Sequence, residues 1–163
     1  LALMHNWPSW FGFFLSFIII LVSWANHHGT FKQICKSSSP FIYANGFLLL
    51  TIAVIPFSTG LMAEYLNTEY VQPAVTFYCF CILVHNVSWN VLAYTIVYPH
   101  PLTHDEAAVK LVVKNISNNA KMAFFIYAAI CILSFWFPVT AMVLMTTSWI
   151  FWIVTSVALA PKS

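Results

Sequence analysis

Trp10 to Phe31 reads WFGFFLSFIIILVSWANHHGTF, and residues 10–26 of it carry no charged side chain. A helix needs about 20 predominantly apolar residues to cross a hydrocarbon core, with some latitude. Residues 10–26 therefore read as a membrane span, and the polar residues that follow, Asn26, His27 and His28, mark where it leaves the apolar layer. The same pattern recurs at residues 40–63, 73–98, 122–137 and 139–160, giving five candidate spans in a chain of 163 residues. Helices are the expected form, because in lipid each backbone donor must be satisfied within its own segment or in a closed barrel. The alternation that barrel strands require is absent, so the expected class is all-α, a single helical-bundle domain over 1–163.

Composition agrees. The chain is 61% hydrophobic, 18% aromatic and 6% charged, against about 25% charged residues in an ordinary soluble domain. Four acids and six lysines cannot coat a soluble surface, and a net charge of +2 gives no footprint for nucleic acid. No Gly-rich phosphate loop, Ser/His/Asp set or carboxylate pair within a span is present, so the chain does not read as an enzyme. Cys35, Cys79, Cys81 and Cys131 lack the paired spacing of a zinc site or a disulfide framework.

The lysines orient the bundle. Lys32 and Lys36 lie between the first two spans, Lys110, Lys114 and Lys121 between the third and fourth, and Lys162 after the fifth, while the connection between the second and third holds Glu64 and Glu69. The positive-inside rule makes the lysine side cytoplasmic. The start of the chain is then outside and its C-terminus inside. An odd number of spans, with Leu1 and not methionine in first place, implies an earlier helix that would return the chain to the cytoplasm. Within the third connection, THDEAAVKLVVKNISN opens with the capping-box pair Thr103 and Glu106 and predicts an amphipathic surface helix over about 104–118.

Polar residues inside spans are costly and so ask for a reason, whether helix association or function. Ser23, Trp24, Asn26, His27 and His28 gather at the inner end of the first run; Asn45 lies one turn into the second, which later carries Pro56, Ser58 and Thr59. Pro56 is expected to kink or loosen that helix near Phe57. In the third, HNVSWN sets His85, Asn86, Ser88, Trp89 and Asn90 near mid-membrane. At helical spacing His85 shares a face with Trp89, and Asn86 with Asn90. Adjacent His27 and His28 point about 100° apart and cannot easily chelate one ion. His28 at one edge does not match His85 in depth for a bis-histidine haem, and His100 and His104 are divided by Pro101. No metal or cofactor is expected.

Two blocks, FIIILVSWANHHGTFKQI and NGFLLLTIAVIPFSTGLMAEY, resemble the second and third helices of the potassium channels related to lysosomal transmembrane protein 175. The order of features matches: Trp24, His27 and His28, Phe31, a basic loop, Asn45, and Pro56-Phe57-Ser58-Thr59 ending in Glu64-Tyr65. The later NVSWNVLAY and the two runs meeting at Pro138 are similar to its fourth to sixth helices. The resemblance implies a homotetramer of six-helix subunits in a bacterial plasma membrane, of which five helices are present here. It implies passive conduction of potassium ions without a Thr-Val-Gly-Tyr-Gly filter, through a pore lined by a first helix bearing Arg-x-x-x-Phe-Ser-Asp. That helix is not in this sequence, so pore-lining residues cannot be named. What carries over is a supporting polar shell, Trp24, His27 or His28, and Asn45, with Ser58 and Thr59 beside it. A secondary transporter using His85, Asn86, Ser88 and Asn90 as a midplane site is the alternative, and a membrane assembly protein without transport is the third reading.

Overall fold

The computed structural model describes residues 7–32, 34–98, 102 and 121–158, with side chains to residue 150. Its helices are α1 (Trp7–Phe31), α2 (Ser39–Tyr65), α3 (Val71–Val97), α4 (Lys121–Leu133) and α5 (Pro138–Ala158). Three of them, α1 to α3, are long and apolar enough to cross a membrane. No strand occurs among the described residues. The surface helix expected over 104–118, and His100 and His104, lie outside the described residues.

Helix ends follow local chemistry more closely than the hydropathy runs do. The first helix does not stop at Asn26: the Thr30 hydroxyl donates to the Asn26 carbonyl at 2.9 Å, and the Lys32 amide donates to the His28 carbonyl at 3.2 Å. Ser38 caps α2, its side chain accepting from the Phe41 amide at 3.4 Å, with Pro40 in the first turn where a missing N–H is harmless. The fourth run ends early as a helix. Residues 134–137 form a tight turn held by Phe135 and Trp136 amides donating to Ile132 and Leu133 carbonyls, which fits the bias of the residue before Pro138 away from helical geometry.

α2 continues through Pro56. Proline removes the N–H that would have bonded the carbonyl four residues earlier. The two hydroxyls that follow strap this turn: Ser58 and Thr59 both donate to the Ile55 carbonyl at 3.0 Å, and Thr59 also reaches the Pro56 carbonyl at 3.1 Å.

α1 packs on α2 and α5, and α3 packs on α2 and α5. Lipid tails are as apolar as leucine, so association of such helices depends on close packing and hydrogen bonds more than on hydrophobic transfer. α1 and α2 come close at Gly12, where a Cβ would lie 3.0 Å from both the Ala63 Cβ and the Thr59 carbonyl oxygen. Two apolar clusters fill the bundle. One gathers Leu15, Ile19, Val22, Ile55, Met62, Tyr78 and Ile82 with α4 and α5 residues including Tyr127, Met145 and Trp149. The other, smaller, holds Phe41, Ala44, Leu48, Leu92, Ile96 and Leu102.

Leu102 closes the second cluster. Its side chain is buried there, while its carbonyl accepts from the amides of Cys35 at 2.9 Å and Lys36 at 3.2 Å and from the Cys35 thiol at 3.2 Å. Its own amide donates to the Ile96 carbonyl at 3.1 Å. The chain leaving α3 is thus fastened to the α1–α2 loop.

Candidate functional site

Between the two apolar clusters lies a polar layer. Ser23 follows Val22 on α1, Thr51 stands between Leu48 and Ile55 on α2, and His85 and Ser88 stand between Ile82 and Leu92 on α3. All four are buried, and they bond to one another. His85 is the hub: Nε2 lies 3.0 Å from the Ser23 hydroxyl, and Nδ1 lies 2.9 Å from the Thr51 hydroxyl.

The indole of Trp89 fixes the tautomer. An indole N–H can only donate, and Trp89 Nε1 points at His85 Nε2 from 3.3 Å. Nε2 must therefore be the unprotonated acceptor, which Ser23 shares as a second donor. The hydrogen then sits on Nδ1 and is donated to Thr51. Thr51 in turn donates to the Leu48 carbonyl at 2.7 Å, and Ser88 to the His85 carbonyl at 2.7 Å, with 3.1 Å between the two hydroxyls. An imidazolium would set a second N–H against the indole N–H, so this arrangement fits a neutral ring. Trp149 of α5 covers it, ring centroids 6.4 Å apart.

A ring engaged at both nitrogens has no valence to spare for an ion or solute. The layer works instead as a clamp: one residue on α3 ties α1 through Ser23 and α2 through Thr51. Of its members, sequence reading singled out Ser23, His85, Ser88 and Trp89 but passed over Thr51. The signal was a lone hydroxyl in LLLTIAV, seven residues before Ser58 on the same face.

The shell residues fall into separate settings. His27 is buried near the C-terminal end of α1, and its Nε2 donates to Asn45 Oδ1 on α2 at 2.8 Å. Its ring is stacked between Trp24 at 5.7 Å and Phe31 at 4.0 Å, and Phe31 meets Phe41 at 5.2 Å. His28 is exposed, as is most of Trp24. Ser58 and Thr59 turn their hydroxyls back into α2 and join neither group. Asn86 and Asn90 pair along α3, Nδ2 of Asn90 donating to the Asn86 carbonyl at 2.9 Å and to its Oδ1 at 3.2 Å. Among the described residues, no three His, Cys, Asp or Glu side chains gather to hold a metal ion.

The histidine chosen by the fold gives a direct expectation. Removing either His27 or Asn45 leaves the other without its hydrogen-bond partner, and the two should couple by about 0.6 kcal/mol, the average for hydrogen bonds between membrane helices. A double-mutant cycle of His27→Ala and Asn45→Ala, read by unfolding in detergent, measures this. Exposed His28→Ala should stay within about 0.5 kcal/mol of the parent.

Residues 1–56 match the family model described as endosomal/lysosomal potassium channel TMEM175. A solved structure matches most of the chain: the crystal structure of a lysosomal potassium-selective channel TMEM175 homolog from Chamaesiphon minutus superposes with a TM-score of 0.83 at 28% identity, over 94% of this chain and 77% of that one. The chain resembles the TMEM175 channels in sequence and in fold. A potassium channel of Chamaesiphon minutus is 37% identical over 89 residues, 55% of this chain and 44% of the relative. One of Streptomyces collinus is 32% identical over 68 residues, 42% of this chain and 33% of the relative. The matched stretch thus spans less than half the length of either relative. The matched range, residues 1–56, spans Trp24, His27 and Asn45 and the clamp residues Ser23 and Thr51.

Proposed function

We propose that this chain is a subunit of a potassium-permeable channel that conducts passively and performs no catalysis. The likeness to a potassium-selective channel over 94% of the chain carries this reading. On it, the described helices are the frame of the subunit, with the pore lining on a helix outside residues 1–163 and four copies around a central axis. Closed rotational symmetry is the simple way to build a ring of side chains around an ion path. The lysine distribution supports a plasma-membrane orientation with the C-terminus in the cytoplasm.

The transporter alternative needs a midplane site with polar groups free to bind a solute. His85 is engaged at both ring nitrogens, and Ser88 and Asn90 are bonded within α3. That geometry favours the frame reading. Planar-bilayer recording with potassium on one side and sodium on the other is the test. Unitary current steps with a reversal potential shifted toward the potassium equilibrium are expected. Slow saturable uptake without unitary steps would indicate a carrier, and neither signal would leave an assembly protein.

A further inference from the structure

One side of α1 is uncovered along its length. Phe13, Phe17, Leu21, Trp24, His28 and Lys32 follow one another at steps of three or four residues and are all exposed, so they form a single ridge. The ridge changes character along the axis: aromatic and aliphatic over its first part, indole at Trp24, then imidazole and ammonium. From Phe17 to His28 it rises roughly 16 Å at 1.5 Å per residue, close to half of a hydrocarbon core of about 30 Å. Lys36, also exposed, follows in the loop. The acids among the described residues, Glu64 and Glu69, stand at the far end of α2 and just beyond it, so among the described residues no carboxylate lies beside the cationic end of the ridge.

From this charge and hydropathy profile we infer that the α1 ridge seats an anionic phospholipid, acyl chain along Phe17, Leu21 and Trp24, and phosphate between His28, Lys32 and Lys36. The inference rests on the membrane-spanning reading of α1 and not on what the protein conducts. The occupant must be apolar over three turns and negative at one end. A second copy of this chain fits poorly, because rotational symmetry about the membrane normal brings copies together at equal depth, and the described acids, Glu64 and Glu69, lie at the opposite end from the lysines of the ridge. A phospholipid of one leaflet supplies both properties in one molecule, and each juxtamembrane lysine near an anionic surface contributes about fivefold in affinity.

The test uses the protein in nanodiscs containing brominated phosphatidylglycerol or brominated phosphatidylcholine at equal mole fraction. Bromine quenches indoles it touches, and the signal due to Trp24 is the difference between the parent and Trp24→Phe. The expected result is stronger quenching of that difference by the glycerol lipid. Lys32→Gln and Lys36→Gln should each reduce this preference roughly fivefold, while Lys32→Arg keeps it. Lys121→Gln, an exposed lysine at the start of α4, should leave it unchanged. Equal quenching by the two lipids would overturn the inference, as would a loss with Lys121→Gln as large as with Lys32→Gln, which would mean diffuse surface charge. Absence of quenching at Trp24 by either lipid would mean that protein covers the ridge, and would also overturn it.

Discussion

His85→Ala is expected to lower the stability of the bundle by about 2–4 kcal/mol, the sum of a cavity and of buried groups left without partners. Ser23, Thr51 and the Trp89 indole all lose their common partner at once, and in the hydrocarbon layer water does not replace it. The tautomer gives the prediction a finer edge. His85→Asn can set an amide N–H near the place of Nδ1 and keep the Thr51 bond, so it should recover part of the loss, whereas His85→Leu fills the space but satisfies nobody. Thermal or denaturant unfolding of purified protein in detergent ranks the three. Equal and small effects, under about 0.5 kcal/mol for all of them, would mean that the clamp does not hold the helices. Because each partner sits on a different helix, the layer also fixes register: sliding α1 or α2 by one turn would move its hydroxyl about 5.4 Å from the ring.

Gly12→Leu is the second large effect. The site allows no Cβ without movement, since Ala63 Cβ and the Thr59 carbonyl both stand 3.0 Å from where it would be. One of these is backbone and cannot rotate away. Gly12→Ala should cost about 1–3 kcal/mol by overpacking, and Gly12→Leu should separate α1 from α2 at this end and lose the folded bundle altogether. Adding Ala63→Gly to Gly12→Ala should restore only part of the stability, because the Thr59 oxygen remains in the way. The melting midpoints of the single and double variants check this, and full recovery in the double variant would assign the strain to Ala63 alone.

Much of the bundle was legible because charge-free runs of span length leave few options. The sequence places α2 over 40–63 and α3 over 73–98, against observed bounds of Ser39–Tyr65 and Val71–Val97. α1 runs past the apolar run of 10–26, to Phe31, for a physical reason: hydropathy reports where apolar side chains stop, but a helix continues while its amides find carbonyls. Thr30 and Lys32 supply that continuation, and His27 stays inside because it can donate to Asn45. Whether His27 or His28 meets Asn45 could not be read from adjacent identical residues, since the choice depends on the rotation of α1 against α2. The partner of Thr51 could not be read for a related reason. A threonine among leucines is compatible with a hydroxyl returned to its own backbone, as Ser58 and Thr59 do, and only the position of α3 gives it an imidazole to meet.

The fastening at Leu102 bears on how α1, α2 and α3 hold one another. Residues 98–120 join α3 to α4, and without an anchor their near end would be the tip of α3 alone. With Leu102 pinned to Cys35 and Lys36, the chain beyond α3 is held against the loop between α1 and α2 as well as against α3. A displacement at Leu102 would act on the α1–α2 loop through Cys35 and Lys36 and on α3 through the Ile96 carbonyl together. The loop that follows α1 and the end of α3 are therefore coupled through one residue, Leu102.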